Sequence, residues 1–592
     1  MRYLRMLTNA VVGGLIVAAY LTVLVLHLNP ALALHSKGAI PLFATMALFY
    51  GVHAAAFVYA LIVIWQILAA EVLSPGWLSV RLLAWILAGA STLGAALMWT
   101  NLVGFEAALD PPAVQRMTAA AIALTACAML LVTFACFRYA LSRWSRGLSA
   151  MLLVMVALAS FVLPLVVRRP AVDERSFLRE TSGTIGEPTL VEVPRVSIIL
   201  LDGASLEFIA PVAAQGRLPH FGKLLEEGAF MHLATLRPTQ PAPVWTSVAT
   251  GKLPFRHGIR SAATYAFRGG DRTIALLPDY CYAQALVRFG FFKEEPHTSA
   301  AVLATPFWEI LGSFGISTGV VGWPLTFPAR ALHGYLVSDE FSRAATPSSR
   351  IALEGDPAIV YPDDLLPVVQ RAYDAVTPAL ASSALAGASA PWPATEGENS
   401  GATSPLLVDR ASELVATALQ NDQAAQITAV RYPGLDAMGH QYLRYAMPRT
   451  FGDVSDEDRR RYGRVLEQYY SYLDAMIGRA AATVGPSDLL LIVSGFGMEP
   501  LSPGKRLLER YVGNASLSGT HERAPDGFLI AYGGPVQRGR HNRGSVLDLV
   551  PTVLYFLGLP VARDMDGHAR TDLFVQSFTA ERPITFIPSY DR

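Results

Sequence analysis

The chain has 592 residues, too many for one compact domain, and its 47 Lys+Arg balance 47 Asp+Glu. That balance argues against a nucleic-acid binder, and no nucleic-acid partner is expected. With 52% hydrophobic and 16% charged residues the chain is too apolar for an ordinary soluble protein, and three cysteines exclude a disulfide scaffold or a Cys-rich zinc module.

The charges are unevenly spread. Residues 1–170 carry ten basic and three acidic side chains, leaving 37 basic and 44 acidic ones to the other 422 residues. Uncharged runs extend from Met6 to Ser36, Gly38 to Ala70, Leu82 to Phe105, Met117 to Phe137 and Gly147 to Val167. Each exceeds the roughly 20 apolar residues that cross a bilayer as a helix, so residues 1–170 are predicted to be a transmembrane helical domain of about five spans. The second run is long enough to tilt or to bend near Gly51. With the N-terminus inside, Arg2, Arg5, Arg81, Arg138, Arg143 and Arg146 gather on the inner side, against Lys37 and Arg116 outside. Arg168 and Arg169 point the other way, but earlier segments dominate, and the C-terminal domain is expected to be extracytoplasmic. Ala31-Leu32-Ala33 resembles a signal-peptidase site, yet further spans follow, which favours an uncleaved first helix. No Asp, Glu, Lys or Arg interrupts the runs, and a lone His53 is more often packed than functional, so the helices read as an anchor in the lipid bilayer rather than a transporter.

Residues 171–194 form a polar connector, and 195–592 read as one α/β domain. Val196–Leu201 is a continuous apolar run of strand length ending in Asp202-Gly203, the pattern of a buried parallel strand, at whose carboxyl end ligands bind. Residues 319–322, 425–430, 489–493 and 528–532 are further strand-like runs, with helical stretches such as 218–227 and 457–482 between them. The alternation predicts a mainly parallel central sheet. Residues 376–405 are rich in Ala, Ser, Gly, Pro and Thr and are expected to be a flexible surface insertion.

Several chemistry-bearing residues fall at strand ends. Asp202 follows the first run, Asp436 and His440 follow the run at 425–430, and His521 precedes the last. In Asp436-Ala-Met-Gly-His440 the i,i+4 spacing puts both side chains on one helix face, and Asp oxygen and His nitrogen are ordinary zinc ligands. Taken singly each has a bland alternative: an exposed helix face for the pair, an isolated group for Asp202 or His521.

The order of segments ties them together. Ile198–Gly203, Arg217–Gly228, Pro243–Gly251 closing at His257-Gly-Ile259, Gly319–Pro328, Asp548–Pro560 and Asp564–Gly567 resemble, in sequence order, the alkaline phosphatase superfamily in its type I phosphodiesterase/nucleotide pyrophosphatase branch. The likeness runs from about Arg195 to Phe574. It implies two zinc ions about 4 Å apart clamping a phosphoryl group. Asp436, His440 and His521 match one ligand set, and Asp202 matches the first ligand of the other. The family's Ser-Asp-His-Gly-Met motif reads Ser494-Gly495-Phe496-Gly497-Met498 here, and the nucleophile position falls on Pro241, which has no hydroxyl. One zinc site is therefore expected to be complete and the second to be empty.

Three accounts follow. The protein is a pseudoenzyme that binds a phosphate-ester ligand or a protein partner. Alternatively, one zinc on Asp436, His440 and His521 activates water for a phosphodiesterase or phosphotransferase acting on phosphorylated lipid or envelope head groups, with Thr239 or Thr246 as donor or substitute nucleophile. Or His541, Asp526 or Glu499 supplies the missing ligands. In the single-metal account Asp202 orients water or a weak second ion, and phosphate charge is otherwise expected to meet the amides at the helix start after Pro243. Tyr469, Tyr470 and Tyr472 read as core or interface.

Overall fold

The computed structural model describes residues 2–32, 34, 37–69, 77, 79–141, 146–168, 193–278, 283–341, 357–376 and 405–591. Ala33, Cys281, the connector up to residue 192 and residues 377–404 of the expected insertion lie outside the described residues. The chain divides into two compact units, Met1–Phe177 with Arg260–Pro296, and Leu178–Ile259 with His297–Arg592.

In the first unit the apolar runs become helices α1 (Arg2–Leu28), α2 (Ala39–Met46), α3 (Val52–Ala69), α4 (Val80–Gly104), α5 (Pro111–Leu141) and α6 (Arg146–Val167). Among the described residues four helical stretches, Tyr3–Leu28, Ala39–Leu68, Val80–Gly104 and Pro111–Phe137, are long and apolar enough to cross a membrane. The fifth expected span forms α6, whose apolar part, Met151–Val167, is shorter than these four. The bend expected near Gly51 is a π-helical turn, Ala47–Gly51, joining α2 to α3. Backbone meets backbone at this turn: a Cβ on Gly14 of α1 would lie 2.1 Å from the Gly51 carbonyl oxygen. Arg168 is only 5% exposed. Its Nε donates to the Leu26 carbonyl at 2.7 Å and its Nη2 to the Asn29 carbonyl at 2.9 Å, capping the end of α1.

Residues 260–296, which the sequence leaves within the α/β domain, pack with the helices instead. Ala263–Phe267 pairs antiparallel with Phe292–Pro296. The strict in–out alternation of the first strand gives one apolar face, and Tyr265, Phe267 and Phe292 share a core with Leu28, Leu32 and Phe105. Asn29 fixes this segment: its Oδ1 accepts from the amides of Ala275 (2.8 Å) and Leu276 (2.9 Å), and its Nδ2 donates to the Leu276 carbonyl. Asn29→Ala would leave these main-chain groups without partners. The expected cost is about 2–4 kcal/mol, read as faster cleavage of 260–296 in limited proteolysis of the detergent-solubilised chain.

The second unit is built on a ten-stranded sheet. Its strands are β1 (Val196–Leu201), β2 (Ala229–Ala234), β3 (Thr318–Val321), β4 (Gly334–Val337), β5 (Val360–Tyr361), β6 (Ile427–Tyr432), β7 (Leu489–Phe496), β8 (Asp526–Tyr532), β9 (Gly539–Arg540) and β10 (Gly544–Ser545). The order is β9-β2-β8-β7-β1-β6-β3-β4-β5, with β10 also on β2. Only β8, against β7 and β2, and β5, against β4, run antiparallel. Central β1 and β7 are buried along almost their whole length, which explains their unbroken apolar sequence. The helices that matter to the site are α7 (Pro241–Thr250), α8 (Pro405–Asp422), α9 (Gly434–Ala446) and α10 (Val465–Ala481). The helix expected over 457–482 is interrupted: Asp456–Tyr462 ends at Gly463 before α10 begins. Tyr469, Tyr470 and Tyr472 are buried on α10.

A buried carboxyl sets the start of α9. Asp409 of α8 is fully buried; it accepts from the Gly434 amide at 3.0 Å and from the Tyr469 hydroxyl at 2.7 Å. Gly434 must lack a side chain, since a Cβ would lie 1.8 Å from the Tyr469 hydroxyl. Burial pushes the Asp409 carboxyl up to about 7, against the pull of both hydrogen bonds. A raised acid is bound more tightly by its proton in the folded state. The stability it confers is complete below about pH 4 and is lost as pH rises through 7. Asp409→Asn is therefore expected to flatten this loss. Its stability relative to wild type should rise by roughly 3–4 kcal/mol between pH 4 and 8, measured by chemical unfolding of the full chain.

Candidate metal centre

The carboxyl ends of β1, β6 and β7 converge with the loop before β8. Asp436 lies in the first turn of α9, where the helix N-terminus favours negative charge, and His440 follows one turn later. Its Nε2 is 3.5 Å from Asp436 Oδ2. His521 arrives on a short antiparallel ladder, Glu499–Pro500 with Gly519–Thr520, tied to α9 by the Ser518 amide donating to the His440 carbonyl at 2.7 Å. Ligand atoms of Asp436, His440 and His521 all lie within 4.8 Å of one another. Gly203 makes room for them: its φ is +72°, and a Cβ there would be 3.1 Å from Asp436 Cα.

Both imidazoles are oriented by main-chain carbonyls. His440 Nδ1 bonds the Gly519 oxygen at 2.8 Å and His521 Nδ1 bonds the Thr239 oxygen at 3.0 Å. A carbonyl only accepts, so Nδ1 carries a proton in each ring and Nε2 is the atom left to face Asp436 or a metal ion. Asp436 Oδ1 is buried with no hydrogen-bond partner. An orphaned carboxylate oxygen beside two imidazole Nε2 atoms suits a metal ion. Burial pushes the Asp436 carboxyl up, but the His440 hydrogen bond and the charges of His521 and Arg431 outweigh it and hold it low. Burial lowers His440 in turn, and the Asp436 carboxylate more than reverses that.

Asp202 has a different partner. Its Oδ2 accepts from Arg431 Nε at 3.0 Å and Nη2 at 2.5 Å, with side chains 1% and 15% exposed. Burial opposes the charge on Arg431, but the carboxylate outweighs it and the guanidinium stays ionised. Around this pair the wall is apolar. A Cβ on Gly495 would lie 2.6 Å from Val244 Cγ1 and 3.6 Å from the Trp245 ring. Phe496 is wholly buried, its ring 5.0 Å from that of His521 and 6.4 Å from that of Trp245. Pro241 is the first residue of α7. Of the second ligand set expected from the sequence, only Asp202 has a ligand atom; Arg431 holds its Oδ2, and its Oδ1 is buried with no hydrogen-bond partner.

The other candidates are engaged elsewhere. The Thr239 hydroxyl donates to the Leu236 carbonyl and that of Thr246 to the Ala242 carbonyl, both at 2.8 Å. Thr239 serves the site through its carbonyl instead. His541 bonds the Gln537 carbonyl, Asp526 pairs with Arg543, and Glu499 accepts from the Arg523 amide. The helix start at α7 offers less to a phosphate than expected. Pro241 and Pro243 have no N–H and the Val244 amide bonds the Gln240 carbonyl, which leaves Ala242 alone. Arg431 and Val244 are the residues that sequence reasoning missed. A charged side chain just past an apolar parallel-strand run was the available signal for Arg431.

A family model described as type I phosphodiesterase / nucleotide pyrophosphatase matches residues 196–550. Among solved structures, murine ectonucleotide pyrophosphatase/phosphodiesterase 5 is similar at 13% identity and a TM-score of 0.36, covering 64% of this chain and 100% of that one. An inactive variant of the murine protein in complex with AMP gives 13%, 0.37, 64% and 100%. The human counterpart gives 13%, 0.37, 64% and 99%. Among curated proteins none matches the sequence.

Proposed function

Because this chain belongs to the type I phosphodiesterase/nucleotide pyrophosphatase family, we propose that it is a membrane-anchored member that binds phosphate esters at a single cation and does not run the family's covalent phospho-enzyme reaction. Asp436, His440 and His521 would hold one zinc ion, which supplies a Lewis acid for a phosphoryl oxygen. The two carbonyl-bonded histidines and the helix-start carboxylate keep that ligand set in place. The observation that carries the proposal is the apolar second position: Val244 and Trp245 occupy the space beside Gly495, Phe496 packs against Trp245, and Pro241 offers no nucleophile. Phosphorylated lipid or envelope head groups are the ligand class, in keeping with an anchor in the bilayer. The flanking cations of the spans support a domain outside the cytoplasm.

A second reading, single-metal hydrolysis by water, is favoured by the intact, oriented triad. Elemental analysis of purified protein together with turnover assays on several phosphate esters separates the outcomes. One zinc per chain without turnover supports binding alone. One zinc with slow hydrolysis that depends on His440 supports the second reading. Two zinc ions per chain with phosphodiesterase turnover overturns both.

A further inference from the structure

We propose that Arg431 is a built-in replacement for the missing second cation: one edge of its guanidinium holds Asp202, and the other is offered to a phosphoryl oxygen of the ligand. This deepens the one-cation reading and rests on it. Arg431 sits near the end of β6, paired in register with Leu200 of β1, three residues before the first residue of α9. The same strand–turn–helix thus delivers the guanidinium and the Asp436 ligand.

Three observations support the assignment. First, a carboxylate as buried as Asp202 requires a counter-charge, and the residues at 241, 495 and 496 cannot assemble a metal site to supply it. Second, the contact uses few of the donors. A guanidinium has five N–H groups; Nε and Nη2 both reach the same Asp202 oxygen, and these are its only hydrogen bonds among the described residues. Nη1 is free for an anion, and its planar geometry suits phosphate oxygens. Asp339, which Arg431 feels along with Asp202 and Asp436, is occupied by the amides of Leu325, Thr326 and Phe327. Third, the charge balance changes on loading. Asp202, Asp339 and Asp436 against Arg431 leave the empty site two negative charges; a divalent cation on the triad cancels them, so an anionic ester is no longer repelled.

The test uses the full chain in detergent, zinc-loaded, titrated with inorganic phosphate by calorimetry, with zinc counted in parallel. Arg431→Gln is expected to weaken phosphate binding by about 10- to 100-fold while zinc stays at one per chain, held as tightly or more so. Arg431→Lys should recover part of the loss. Since Arg431→Gln leaves Asp202 buried and unpaired, the neutral pair Arg431→Gln with Asp202→Asn is made alongside. It should fold, keep one zinc and show the same loss. Phosphate affinity unchanged in that folded, zinc-loaded pair overturns the role of Arg431 and leaves the one-cation reading standing. Zero or two zinc ions in the wild-type chain overturns the one-cation reading itself.

Discussion

Replacing His440 with alanine is expected to remove tightly held zinc, from one ion per chain to none, while the α/β unit stays folded. Three protein ligands are the minimum for a tight site with an open position, and losing one leaves Asp436 and His521 as a weak pair. Losing a mere orienting partner already costs about 10- to 100-fold in affinity, so losing a ligand should exceed 100-fold. The readout need not be activity. Zinc at about 1,000 times its Kd stabilises a folded site by roughly 4 kcal/mol, so the wild-type unfolding transition should rise with added zinc and that of the variant should not. Equal zinc stabilisation of both proteins would show that the ion binds elsewhere.

Gly495→Asp is expected to be severely destabilising, by about 3–5 kcal/mol or more. Its Cβ would fall 2.6 Å from Val244 Cγ1, and Val244 is fully buried with little freedom to yield. The carboxylate would then face Val244 and Trp245, which offer no cation. Adding Val244→Ala should relieve the steric part and leave the cost of the charge, so the double variant should be intermediate in chemical unfolding. A single variant as stable as wild type that also binds a second zinc would contradict the apolar-wall description.

The architecture was legible because its signals are local. Unbroken apolar runs mark β1, β7 and the spans, and a change from apolar to polar composition separates the two parts. The triad was legible through in-order family segments, since an Asp-x-x-x-His pair says little alone. Arg431 was not, because its role depends on β6 lying beside β1, a pairing across more than 200 residues that no short motif encodes. Val244 was hidden for the same reason: it matters only through the space beside Gly495. The place of residues 260–296 was missed because a segment of ordinary strand-like alternation carries no mark of which core it joins.

That last segment changes how the α/β unit is tethered. The chain passes between the two units after Phe177, after Ile259 and again after Pro296. A single cut between α6 and β1 would therefore not release the α/β unit. The severed C-terminal piece would stay moored through its own hairpin, gripped at Asn29, and release would demand a second scission or loss of the bilayer itself.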